Sequence, residues 1–345
     1  MSFFKKFQTL SLLAEKHHHV PVVTHEKRYL GIILTLVGWM LAAFYTVLFQ
    51  VSTEESKVEV SNNLSRVFIE FTFIHLAMFI FFSIFCITQG QGFKYIKPKE
   101  PKLLWWRSAF SIISLWCYSL ARVWTSTVDN SMLYSIDALC IVIFLWLLGI
   151  KVSKLTWVGI IIGVLGIIYV YSFDIHSIFD IVGGIFGTLS GITLAIITVI
   201  TTYLVLQDPP LRIGLYQSFL GLASSFLIAI ILGMVQGWYI PNTSELITMS
   251  FSGFFFGMML FCIWEAFYYT EAYIIGALSY VLPIFVEAIN WILTKEVPSL
   301  STIIGTIIIS AGCLIVVFEA YIEDKKKKRF GDGRFLKQSN KKSAL

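Results

Sequence analysis

Charge is scarce in this chain: only 14% of its 345 residues are Asp, Glu, Lys or Arg, while 57% are hydrophobic and the mean hydropathy is +0.78. Soluble domains carry about 25% charged residues, so an ordinary soluble globule is excluded. Paired cysteines are missing too. Cys86, Cys117, Cys140, Cys262 and Cys313 all fall in apolar stretches and form no C-x-x-C pair, so neither a disulfide frame nor a zinc site is indicated and no metal or other cofactor is expected. They read as small buried hydrophobes. The catalytic signatures of membrane enzymes and pumps are absent: no histidine box, H-E-x-x-H, G-x-S-x-G elbow, P-loop or G-x-G-x-x-G, and GTLSG at 187–191 has the wrong spacing. Neither hydrolysis nor ATP-driven work has a visible site. The net charge of +5 does not imply nucleic acid, because the positive residues cluster beside hydrophobic segments, where they set topology.

What the chain does have is long apolar runs and aromatics, the latter 16% of all residues. A helix needs roughly 20 apolar residues to cross the hydrocarbon layer, and ten segments qualify or nearly so: 30–51, 67–89, 105–124, 132–149, 156–172, 181–206, 213–234, 247–270, 276–294 and 302–322. With a cytoplasmic N-terminus, 22 of the 26 Lys and Arg fall inside, leaving Lys57, Arg66, Arg122 and Lys295 outside. An odd number of spans would put the Lys325 to Arg329 run on the wrong side. Both termini are therefore expected in the cytoplasm. Segment 1–29 precedes the first span, with Phe3, Phe7, Leu10 and Ala14 on one helical face that suits an interfacial helix, a disordered tail being the alternative. His17 to His19 lack the acidic or cysteine partners of a metal site. The basic tail, 323–345, reads as a solvated segment near anionic headgroups.

Sliding the chain by 146 residues aligns Arg66 with Arg212, Tyr134 with Tyr280, Ser153 with Ser299, Gly159 with Gly305 and Gly166 with Gly312. The expected fold is thus an all-α polytopic membrane protein whose ten transmembrane helices form two five-helix repeats, 30–172 and 181–322, joined by a linker at 173–180. Five is odd, so the second repeat enters the membrane from the other side and the two are inverted, an architecture of transporters with a site near the midplane.

The stretch 278–317, LSYVLPIFVEAINWILTKEVPSLSTIIGTIIISAGCLIVV, resembles the closing segment of EamA-type domains of the drug/metabolite transporter superfamily. In that family a proline opens the fourth helix of each repeat, a glutamate follows about thirteen residues later and a glycine nine after that. These are Pro283, Glu296 and Gly305 here. The first repeat departs, with Asp137 and Ile150 in the corresponding slots, but keeps Gly159. The resemblance implies a ten-helix fold, transport through a central cavity and a bacterial inner membrane. It does not imply a substrate.

A carboxylate in hydrocarbon costs roughly 2.5 to 3.5 kcal/mol on insertion scales, so acids within spans should face a cavity or a partner. Tyr280, Pro283, Glu287 and Asn290 share one helix face that is expected to line the cavity, an interhelical hydrogen bond being the alternative. Asp137 stands one turn after Tyr134, with Arg122 as an alternative partner, and without a proline span four is expected to kink less than span nine. Glu70 reads as solvated and His75 as a hydrogen-bonded packing histidine. Glu265, with Tyr268 a turn later, is a further candidate. Trp39, Tyr45, Trp116, Tyr118 and Trp264 can stack a planar or cationic solute, although aromatic packing is the default for each. The candidate substrate-binding residues are therefore Trp39, Tyr118, Tyr134, Asp137, Trp264, Glu265, Tyr268, Tyr280, Glu287 and Asn290. Gly159, Gly163 and Gly166 form a stripe that lets helices approach closely.

Almost no Lys or Arg is expected at mid-membrane, so a phosphorylated anion would lack counter-charges. A cation or zwitterion fits better, either an amino acid or a solute like S-adenosylmethionine, which some members of the superfamily carry. An exporter of drug-like organic cations is the runner-up, ahead of a channel or membrane-embedded enzyme. The expected partners are a small-molecule substrate, the lipid bilayer and a coupled proton or exchanged metabolite.

Overall fold

The computed structural model describes residues 28–54, 64–88, 96–125, 127–150, 152–174, 178–294 and 300–342. The Phe3 to Ala14 face, His17 to His19 and Glu296 lie outside them. Twelve helices follow one another, with no strand among the described residues: α1 (Arg28–Glu54), α2 (Leu64–Thr88), α3 (Pro101–Trp124), α4 (Thr127–Tyr134), α5 (Asp137–Leu147), α6 (Lys154–Asp174), α7 (Ile178–Leu204), α8 (Pro210–Gln236), α9 (Thr243–Ala266), α10 (Ala272–Leu278), α11 (Val281–Thr294) and α12 (Leu300–Lys342).

Local chemistry fixes several ends. α3 and α8 start with proline, whose missing N–H costs nothing in a first turn. α9 starts in a capping box between Asn242 and Glu245, and α8 ends at Gly237, where φ is 98°.

Taken as broken single helices, α4 with α5 and α10 with α11 leave ten elements, eight of them long and apolar enough to cross a membrane. The chain is a multi-pass α-helical membrane protein. α6 has a shorter apolar stretch, Lys154–Val170. α3 is more polar because it carries Arg107, Arg122 and five serines or tyrosines, Ser108, Ser111, Ser114, Tyr118 and Ser119, as suits a helix that faces a polar interior. α1 shows the general plan. Ile33, Val37, Met40 and Phe44, at helical spacing, are exposed, while Thr35, Trp39, Tyr45 and Thr46 are buried. The greasy stripe faces outward and the polar and aromatic one inward.

The main pairings are α2 with α8, α6 with α12, α3 with α7 and α1 with α9. α4 also meets α11, α5 meets α10, α7 meets α5 and α4, and α1 meets α11 and α10. Exchanging each helix for its counterpart in the other half maps every one of these pairings onto itself or onto another of them. At α6 and α12 the backbones nearly touch: a Cβ on Gly159 would lie 2.8 Å from the Gly312 carbonyl oxygen.

Both central spans are broken, span four without the proline that follows the break in span nine. At Ser135–Ile136 and Ser279–Tyr280 the helix tightens into one turn with i→i+3 bonds, among them Ile136 N to Leu133 O at 3.2 Å and Ser279 N to Gly276 O at 2.9 Å. Serine hydroxyls satisfy freed groups there. Ser135 Oγ lies 3.1 Å from Ser279 O, and Ser279 Oγ donates to Asp137 Oδ1 at 2.6 Å. The two breaks therefore touch, and a polar cross-link does for span four what Pro283 does for span nine.

Candidate functional site

Helices of both halves, α1, α3, α4, α5, α7, α9, α10 and α11, enclose a central cavity of about 60 Å³. Ligand pockets span roughly 300 to 1,000 Å³, so a metabolite enters this one only if the walls part. Five of the ten candidate residues meet there: Trp39, Tyr118, Tyr134, Asp137 and Trp264. Tyr118 and Tyr134 cross edge-to-face with centroids 4.9 Å apart, and Trp39 meets Tyr134 in the same manner at 6.5 Å. Trp39's indole N–H has no hydrogen-bond partner among the described residues, whereas the Tyr118 hydroxyl is 3.2 Å from Thr46 Oγ1. Tyr45 also lines the wall and packs on Phe256, centroids 4.7 Å apart.

Asp137 opens α5, where the helix dipole favours a carboxylate. It is 1% exposed, and its partner is Ser279 rather than Arg122, which donates to the Thr46 carbonyl at 3.3 Å.

The other five candidates stand elsewhere. Tyr280 is fully buried and donates to Ile160 O at 3.1 Å, its ring lying where a Cβ on Gly163 would be. It locks α6 to the span-nine break. Glu287 and Asn290 are half-buried on α11 outside the cavity wall, to which that helix contributes Leu282. Glu265 is half-buried and also outside the wall, and Tyr268 donates to Val205 O at 2.8 Å, tying the end of α9 to the end of α7.

Arg107 is the residue that the sequence reading missed. It had been counted among the cytoplasmic basic residues, yet it is 1% exposed and lines the cavity. This corrects the expectation of a mid-membrane region almost free of Lys and Arg. Its Nε donates to Thr201 Oγ1 at 3.1 Å, its Nη1 to Gln217 Oε1, and its guanidinium lies 4.4 Å above the Trp264 ring. Two charge-assisted bonds of roughly 1.5 to 3 kcal/mol each and a cation–π contact worth up to about 2 offset the cost of placing a cation there. A sequence signal existed: Arg107, Ser111, Ser114 and Tyr118 recur at steps of four, three and four, and all four line the cavity.

Ion pairs brace both ends of the bundle. Arg66 pairs with Glu70 at 3.4 Å and with Glu245 at 3.0 Å, while stacking on Tyr239. Glu70 is thus fully buried, not solvated as expected. Burial, and donation to Glu245, hold the Tyr239 phenol above its usual range. Arg212, the counterpart of Arg66, pairs with Asp208 at 2.5 Å, and Asp208 also accepts from the Lys99 and Glu100 amides at 3.0 and 3.2 Å. Arg28 pairs with Glu271 and donates to Ala320 O. His75 Nδ1 lies 2.8 Å from Phe71 O, the packing role expected of it. No cluster of three metal-ligating side chains occurs among the described residues.

The fold is thus that of a multi-pass membrane protein whose helices line a central cavity holding one arginine, one aspartate and several aromatic rings. Residues 181–318 match the EamA-like transporter family. This match to the second half of the chain agrees with the family resemblance that the 278–317 motif carries. Among solved structures, a crystal structure described only as that of a protein superposes with a TM-score of 0.65 at 15% identity, covering 83% of this chain and 98% of its own. It shares the fold. No curated protein matches the chain.

Proposed function

We propose that this protein is a secondary transporter that moves a small cationic or zwitterionic metabolite, an amino acid or an S-adenosylmethionine-like solute, across the cytoplasmic membrane by alternating access. One observation carries the reading: a buried carboxylate, Asp137, shares the central cavity with Trp39, Tyr118, Tyr134 and Trp264. Acids at membrane depth are retained where a pathway needs them, and aromatic faces attract cations.

The two repeats, 30–172 and 181–322, each have five spans and so lie inverted, and the exchange symmetry of the packing supports this. Rocking one repeat against the other opens the central site to one side of the membrane and then to the other. The small cavity suits an occluded stage of that cycle. A coupled proton or an exchanged metabolite is the driving partner, and the termini lie in the cytoplasm, where the basic tail meets the inner leaflet.

The test is counterflow in liposomes preloaded with unlabelled solute. The panel holds neutral and basic amino acids, S-adenosylmethionine, tetraphenylphosphonium and a phosphorylated sugar. Saturable uptake of an amino acid or S-adenosylmethionine supports the proposal, and uptake of tetraphenylphosphonium alone moves it to drug-like cations. Uptake of the sugar phosphate alone, unsaturable flux as through a channel, or chemical change of the solute would each sink it.

A further inference from the structure

Arg107 and Asp137 are the charged residues of the cavity wall, one of each sign. Arg107 is held from behind. Thr201 takes Nε, Gln217 takes Nη1, and Trp264 supports the guanidinium plane. These partners are neutral, so the positive charge is positioned without being neutralised, and Nη2 makes no hydrogen bond to the described residues. A buried arginine that serves packing alone normally meets a carboxylate. Here the carboxylate of the same wall, Asp137, is engaged by Ser279 instead. Tyr134 lies within electrostatic reach of both charges.

From this geometry we infer that Arg107 is the anchor for a carboxylate on the transported solute, with Asp137 receiving its ammonium group, so that the substrate is a zwitterion and not a simple cation. This rests on the transport reading above and narrows it. A wall with balanced charge penalises a solute of net charge either way, since one wall group is left buried and unpaired. A dipolar solute satisfies both. Thr201, Gln217 and Trp264 are positioning residues, fixing the guanidinium before the solute arrives and so reducing the ordering cost of binding.

The test uses the purified full-length protein in detergent and two matched sets of probes: leucine, leucinamide and 4-methylpentanoate, and phenylalanine, phenylalaninamide and 3-phenylpropanoate. Binding is read by quenching of tryptophan fluorescence, to which Trp264 beneath Arg107 contributes. In the wild type at least one amino acid should bind tenfold or more tightly than both its amide and its deaminated acid. In Arg107→Gln the preference for the amino acid over its amide should vanish, the amino acid losing its carboxylate partner while the amide binds at least as tightly as before. Arg107→Lys should restore part of the preference, since it returns a point charge without the fork. Equal binding of amide and amino acid to the wild type would overturn the inference and leave the cation carrier standing, a comparison that needs no variant to fold. Folded wild type that binds neither amino acid would also overturn it, and counterflow with the other solutes would then judge the transport reading separately.

Discussion

Tyr134 and Tyr280 stand 146 residues apart at the broken turns of the two central spans, yet one lines the cavity while the other is locked into the packing of α6. Their surroundings explain the difference. Gly163 leaves room for the Tyr280 ring, and the counterpart of Gly163 is Ile309, a buried side chain pressed against Gly166. Tyr134 has no such slot and turns inward. The same contrast holds for charge: Asp137 sits where the second half has Pro283, and Arg107 also belongs to the first half. The second half supplies the apolar and aromatic wall of α9, including Phe256, Met259 and Trp264. The two halves therefore bring different chemistry to the cavity, the first its two charged residues, Arg107 and Asp137, and the second an apolar and aromatic wall.

The arginines of the two halves offer the harshest way to break that contrast. Arg66→Gln leaves the fully buried Glu70 without the Arg66 guanidinium, which should cost about 3 to 5 kcal/mol. Arg212→Gln leaves Asp208 with two backbone amides, so its loss should be nearer one charge-assisted bond, about 1.5 to 3 kcal/mol. Equilibrium unfolding in mixed micelles measures both, and equal losses would show that the two clamps do not differ as argued.

Asp137→Asn should be the largest functional lesion. Asparagine still accepts from Ser279, so folding should change by less than about 1 kcal/mol, while counterflow falls ten- to a hundredfold, about 1.4 to 2.8 kcal/mol. Pro283→Ala, at the matching place in the second half, should alter counterflow less than about threefold, because a proline in a first turn mainly restricts the unfolded chain. Wild-type counterflow in Asp137→Asn would remove the acid from the site. Gly163→Ala should cost about 1 to 3 kcal/mol in the same unfolding assay, since its Cβ would enter the Tyr280 ring.

The multi-pass helical character and the family resemblance were legible in the sequence because a membrane crossing needs a long apolar run, which eight helices have, and small residues recur where helices touch. Trp39, Tyr118, Tyr134, Asp137 and Trp264, which line one cavity, stood out in the sequence because rings and carboxylates contrast with hydrocarbon. Arg107 did not, since a basic residue near the start of a span looks like a topology signal until its neighbours on α7 and α8 are placed around it. Glu287 and Asn290 share a helix face yet lie outside this cavity's wall. A polar face fixes which residues share a side of the helix, but not which side meets the cavity. The break in span four was hidden because it rests on a serine contributed by the other half of the chain.

That cross-link gives the smallest and most discriminating comparison, between Ser279→Ala and Ser135→Ala. Interhelical hydrogen bonds in membrane proteins average about 0.6 kcal/mol, with a maximum near 1.7. Ser135 bonds only to carbonyls, Ser131 O and Ser279 O, which keep other partners or tolerate their loss, so its removal should fall near the average. Ser279 is the side-chain donor that Asp137 has in a dry environment, and its removal should approach the maximum. Ser279→Ala should also weaken counterflow severalfold by loosening the orientation of Asp137, whereas Ser135→Ala should leave the rate within about twofold. If both serines cost the same and neither touches transport, the breaks are held by packing alone and the carboxylate is oriented by something other than its partner across the repeat.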